Sequence, residues 1–213
     1  MPTVKEILND TKKRLKEQGI DTYSLDSSLL VSEVTGLTKI QLVTHDRDEV
    51  TEEQINRLEN LVKERLKNKP MQYILGHCEF MGLDFKVTEN TLIPRGDTEN
   101  IVEEVIATIE NSGYNTVLDM CTGTGAIAIS VAHYTKAKVT ASDISSKALE
   151  VARENAKILN ADVNFIESDL FENINETFDV LVSNPPYIES EVIPTLMEQV
   201  KDYEPMLALD GGK

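Results

Sequence analysis

The chain has 213 residues, 40% of them hydrophobic, and a formal net charge of −16, enough for one large or two small domains with a real core. It has no apolar run of about 18 residues and no apolar stretch behind a basic start, so neither a membrane span nor a secretory signal is expected. Cys78 and Cys121 stand in no CxxC, as suits a reducing, cytoplasmic setting, and His45, His77 and His133 lack ligand spacing, so no metal site is expected.

Residues 3–75 read as a helical unit of about four helices. Thr3-Val4-Lys5-Glu6 is a capping-box pattern, followed by Val4, Ile7, Leu8 and Leu15 on one face. A second apolar set, Leu25, Leu29, Leu30 and Val34, ends at Gly36, a helix terminator. Thr38 can cap a short segment through Ile40, Leu42 and Val43. Thr51-Glu52-Glu53-Gln54 opens a helix with Ile55, Leu58, Leu61, Val62 and Leu66 inward, and Pro70 closes the unit.

From residue 76 the period changes. Phe80, Leu83, Phe85 and Val87 around Gly82 predict a β-hairpin, within a linker spanning 76–96. From Asp97 the pattern is αβαβαβ, with strands at Thr116–Leu118, Val139–Ser142, Val163–Ile166 and Val180–Ser183. Strands alternating with helices imply a parallel sheet with right-handed crossovers, hence an α/β domain over 97–213.

The first of these strands runs into Asp119-Met120-Cys121-Thr122-Gly123-Thr124-Gly125 and then a helix. Glycines let a backbone approach a ligand closely, and a helix N-terminus offers free N–H groups. Asp143, 20 residues after Gly123, is placed to bind both hydroxyls of a ribose. Asp169, after the third strand, can meet an adenine amino group, with Leu170 and Phe171 as apolar walls. Asp119 can hydrogen-bond an amino acid's ammonium or fix the loop.

Asn184-Pro185-Pro186-Tyr187 follows the fourth strand, at the carboxyl edge where open α/β sheets bind ligands. The Asn184 amide oxygen and the Pro185 carbonyl are acceptors, and proline adds no competing N–H. Tyr187 offers a flat face. The set suits a planar –NH2 group, as methyl transfer to an amide or aryl-amine nitrogen requires. Alone, the same residues also read as a proline-rich turn.

Two cofactors fit the glycine loop. Gly123-x-Gly125-x-x-Ala128 satisfies the dinucleotide fingerprint of an NAD enzyme. S-adenosylmethionine has an ammonium, a ribose and an adenine, so it uses Asp119, Asp143 and Asp169 together, and it gives Asn184–Tyr187 a purpose that a dehydrogenase does not.

These residues, with Leu92-Ile93-Pro94-Arg95-Gly96-Asp97-Thr98-Glu99, Ser168-Asp169-Leu170-Phe171 and Tyr203-Glu204-Pro205-x-Leu207-Ala208-Leu209, resemble the HemK/PrmC family of release-factor glutamine methyltransferases over essentially the whole chain. The resemblance implies a Rossmann-like class I S-adenosylmethionine-dependent methyltransferase domain behind a small all-α bundle and a hairpin. It implies methylation of the glutamine N5 in the GGQ motif of class 1 peptide chain release factors, which the helical domain helps to bind. Cys121, Thr122, Gly123, Thr124, Gly125, Asp143, Leu170 and Asn184 would line the cofactor, and Asn184, Pro185, Pro186 and Tyr187 would hold the glutamine.

Three departures accompany it. Cys121 stands where the family usually has Gly, a difference that matters if the position needs φ > 0. Gly96 replaces a common Pro. The family also continues beyond Leu209-Asp210-Gly211-Gly212, so a fragment is expected, with an incomplete sheet and the fourth strand as a bare apolar edge. An adenine-N6 methyltransferase uses the same clamp, but residues 76–213 carry 9 Lys+Arg against 24 Asp+Glu, and so acidic a region repels nucleic acid. A non-catalytic fragment that binds release factor is the third reading.

Overall fold

The computed structural model describes residues 1–213, which form two compact units, Met1–Leu75 and Gly76–Lys213. The first has five helices: α1 (Val4–Glu17), α2 (Tyr23–Thr35), α3 (Gln41–Thr44), α4 (Glu52–Arg65) and α5 (Met71–Leu75). Both expected capping boxes form, Thr3 with Glu6 and Thr51 with Gln54, each satisfying two N–H groups at a helix start. Gly36 ends α2 in the left-handed conformation that costs glycine little. The Thr38 hydroxyl accepts from the Gln41 N–H and opens α3.

Packing corrects two details here. Leu25, expected inward, is exposed, because the buried face of α2 runs through Asp26, Ser27, Leu30, Val31 and Val34. Asp26 tolerates that burial because Arg65 Nε on α4 (2.7 Å) and the Thr22 hydroxyl (2.8 Å) both donate to it. Pro70 does not close the unit: its carbonyl accepts from the Ile74 N–H, so it starts α5.

The second unit opens with the hairpin β1 (His77–Phe80) and β2 (Leu83–Lys86). Met81 and Gly82 both have positive φ, the twist that matches a two-residue hairpin. Phe80 and Phe85 are fully buried in the unit's main core, so the hairpin packs as part of this unit. There follow α6 (Asp97–Ser112), β3 (Thr116–Met120), α7 (Ala126–Tyr134), β4 (Lys138–Asp143), α8 (Ser146–Ile158), β5 (Val163–Glu167) and β6 (Val180–Ser183). The four strands are parallel, as alternating strands and helices imply, and lie in the order β5-β4-β3-β6. β6 is an outer strand, with Val182 buried and Leu181 exposed. After it come β7 (Ile188–Glu189), a single 3₁₀ turn, α9 (Glu198–Lys201), α10 (Met206–Leu209) and β8 (Asp210–Gly212), with β8 parallel to β7. No helix is long and apolar enough to cross a membrane.

Candidate active site

The carboxyl ends of β3, β4, β5 and β6 open into one cavity of about 500 Å³, the size and place expected of a ligand site in an open α/β sheet. Its first wall is the loop between β3 and α7. Cys121, Gly123 and Gly125 all have positive φ, at 63°, 56° and 80°. The Thr122 N–H donates to the Ser142 carbonyl (3.0 Å), and the Gly125 N–H turns back to the Thr122 carbonyl (2.9 Å). A Cβ on Gly125 would come within 2.8 Å of Ile129 and 3.2 Å of Ala152, so glycine is what lets α7 and α8 close behind the loop. A Cβ on Gly123 would meet nothing, and its bare backbone borders the cavity.

Asp119 is wholly buried and fixes this loop. Its Oδ2 accepts from the Thr122 hydroxyl (2.6 Å) and the Ala128 N–H (3.1 Å), while Oδ1 has no partner. Burial pushes its pKa up to about 7, against the opposing pull of those two hydrogen bonds. Of the two tasks the sequence offers Asp119, the geometry contains the loop tie. The carboxylate does not line the cavity, although Met120 through Thr124 do. Cys121 is half-buried there, and desolvation raises its thiol pKa.

Asp143, ending β4, does border the cavity. Its Oδ2 accepts from the Gly123 N–H and its Oδ1 from the Ser145 N–H, both at 2.9 Å. Each carboxylate oxygen has a further lone pair, so the group can take two hydroxyls while its orientation stays locked. Asp169 and Leu170 form a further wall. Leu170 is held at φ 45°, a costly conformation for leucine. Ser168 Oγ donates to the Leu170 carbonyl and accepts from the Asn173 N–H, both at 2.9 Å, and these bonds hold the turn. Phe171, expected beside Leu170, lies outside the cavity lining and is exposed.

Asn184, Pro185 and Pro186 line the opposite side, and the Tyr187 ring stands outside the lining at 78% exposure. Behind Asn184, the Ser183 hydroxyl donates to the Met120 carbonyl (2.7 Å), tying the end of β6 to that of β3.

Two ties escape the sequence motifs. Asn155 on α8 is fully buried: its Nδ2 donates to the carbonyls of Thr124 and Lys86, and its Oδ1 accepts from the Lys86 N–H. It thereby fastens the glycine loop to β2. A polar residue on the apolar stripe Ala148, Leu149, Ala152, Ala156 was the available signal. Arg95, on the cavity wall, pairs with Glu204, whose side chain is 1% exposed. Burial raises the Glu204 pKa and Arg95 opposes that rise. The pair joins the Pro94-Arg95 loop to Pro205, another wall residue. No group of three or more His, Cys, Asp or Glu gathers as a metal site would require.

Asp143, the backbone at Gly123 and Asn184-Pro185 thus border one cavity at the carboxyl edge of a parallel sheet, and this is a Rossmann-like, S-adenosylmethionine-dependent class I methyltransferase. Residues 6–76 match the PrmC N-terminal domain and residues 101–210 the methyltransferase small domain. The chain is 43% identical over 216 residues to the release factor glutamine methyltransferase of Clostridium acetobutylicum, covering 99% of this chain and 76% of that protein. It is 44% identical over 210 residues to that of Fusobacterium nucleatum (96% and 59%), and 38% identical over 218 residues to that of Agrobacterium fabrum (99% and 75%). The chain belongs to the release factor glutamine methyltransferase family.

Proposed function

We propose that this protein transfers a methyl group from S-adenosylmethionine to the N5 of the glutamine in the GGQ motif of class 1 peptide chain release factors, in the cytoplasm. The observation that carries the reading is that Asn184 and Pro185 share one cavity with Gly123 and Asp143. The donor set fits the cofactor: Asp143 takes the ribose hydroxyls, the bare backbone at Gly123 admits close approach, and Asp169 with Leu170 receives the adenine. When bound, S-adenosylmethionine supplies an electrophilic methyl group.

The chain's own part is to orient and to stabilise. The Asn184 side-chain oxygen and the Pro185 carbonyl accept the two N–H groups of the substrate amide. They turn its delocalised lone pair toward the methyl group and stabilise the positive charge that grows on nitrogen. The Tyr187 ring stands outside the cavity lining and would have to turn inward to stack on the amide plane. No dedicated base is needed, because the nitrogen's proton becomes acidic only as the methyl arrives. The helical unit, Met1–Leu75, serves to bind the release factor. Incubation with methyl-labelled S-adenosylmethionine, release factor and duplex DNA tests the substrate class: label is expected on the protein, and label on adenine would overturn the reading.

A further inference from the structure

β8 runs beside β7 with a register shift, so that Ile188 pairs with Asp210 but Glu189 pairs with Gly212. Gly211 is the extra residue of this bulge, a position where glycine often marks a close backbone approach. The approach is closer than any side chain permits. A Cβ on Gly211 would stand 2.8 Å from Tyr187 Cα, 2.9 Å from the Pro186 carbonyl oxygen and 3.0 Å from the Tyr187 carbonyl carbon. All three are backbone atoms of the clamp turn, so no rotamer change relieves the contact.

The two strands are also kept from drifting apart. Asp210 Oδ1 accepts from the Ser190 hydroxyl (2.7 Å) and the Gly212 N–H (2.9 Å), and the Ser190 N–H donates to the Gly212 carbonyl (3.0 Å). The Ser190 hydroxyl and the Gly212 N–H, in that order, hold the Asp210 carboxylate below its ordinary pKa. Gly211 itself lines the cavity together with Asn184, Pro185 and Pro186.

We propose that Gly211 is a positioning residue for the substrate amide. Its missing side chain sets where the Pro186–Tyr187 peptide rests, and so where Asn184 and Pro185 present their oxygens, with the Asp210–Ser190 tie holding that distance. The inference rests on the clamp reading given above.

Gly211→Ala displaces the clamp and leaves the cofactor walls on β3, β4 and β5 alone. Its kcat on release factor is expected to fall at least roughly tenfold, the scale of a sub-ångström misplacement, with KM and S-adenosylmethionine Kd within about twofold of wild type. Adding Ser190→Ala loosens the tie and is expected to restore part of the lost kcat, a rescue that a merely destabilising substitution would not show. A Gly211→Ala enzyme with wild-type kcat, or one losing cofactor affinity in step with rate, overturns the proposal. Should Gly211→Ala fail to fold, Ser190→Ala alone is expected to lower kcat roughly threefold at unchanged cofactor affinity, and wild-type kcat in that variant overturns it. Absence of transfer by the wild type overturns the substrate reading and this inference with it, whereas active wild type with fully active variants overturns only the role of Gly211.

Discussion

Asp119→Asn separates the loop's geometry from its charge. Asparagine keeps one oxygen to accept from the Thr122 hydroxyl and the Ala128 N–H, but it does not titrate. In the wild type, burial lifts the Asp119 pKa from 3.8 to about 7. A carboxylate raised in the fold binds a proton that the unfolded chain releases, so its stabilising contribution is full below pH 3.8 and is lost as pH rises toward 7. At 1.36 kcal/mol per factor of ten in proton affinity, the whole loss is about 4 kcal/mol, of which roughly 2–3 kcal/mol falls between pH 5 and pH 8. The lowered carboxylates Glu6, Glu59, Glu64, Asp179 and Asp210 titrate with the opposite sign, so the quantity to read is the difference between wild type and variant. Urea unfolding of both proteins at the two pH values supplies it. The wild type is expected to lose roughly 2–3 kcal/mol relative to Asp119→Asn over that interval. Parallel behaviour of the two proteins would refute the argument that desolvation holds this carboxyl group neutral.

Asn184→Ala should lower methyl transfer about 10²-fold, the cost of one preorganised transition-state contact, with a smaller effect on cofactor Kd; steady-state kinetics with calorimetry read both. Asp143→Ala should weaken S-adenosylmethionine by roughly 1–3 kcal/mol, and unchanged calorimetric affinity would remove the ribose from that carboxylate. Cys121→Gly should raise stability by about 0.5–1 kcal/mol, because relief of a left-handed residue exceeds the entropy that glycine costs; an unchanged or lower melting temperature would mean that the thiol's contacts outweigh the strain.

Local chemistry made much of this molecule legible. The capping boxes at Thr3 and Thr51 and the terminator at Gly36 depend only on neighbours within four residues, and they form as read. The parallel direction of the strands follows from alternating strands and helices, and the loop at Gly123 and the turn at Asn184 are set at the ends of their strands. What stayed hidden depends on partners far along the chain. Asp26 can be buried only because Arg65 lies 39 residues away, and Leu25 is exposed as a consequence of that choice of face. Arg95 and Glu204 each stood in a recognised motif, but their pairing across 109 residues is a property of the fold. Tyr187 is exposed, and the close approach of Gly211 to its backbone comes from 24 residues further along the chain. Cys121 was flagged by a departure from a familiar glycine, and its positive φ is the reason the departure matters.

In the proposed reaction, Asn184 and Pro185 present a protein glutamine to a methyl donor held by Asp143 and the glycine loop. Peptide mapping by mass spectrometry, after incubating a class 1 release factor with S-adenosylmethionine and either wild type or Asn184→Ala, tests it most directly. A single added methyl on the glutamine of the GGQ motif is expected with the wild type and almost none with the variant. A methyl group at any other residue, or equal methylation by the two proteins, would contradict it.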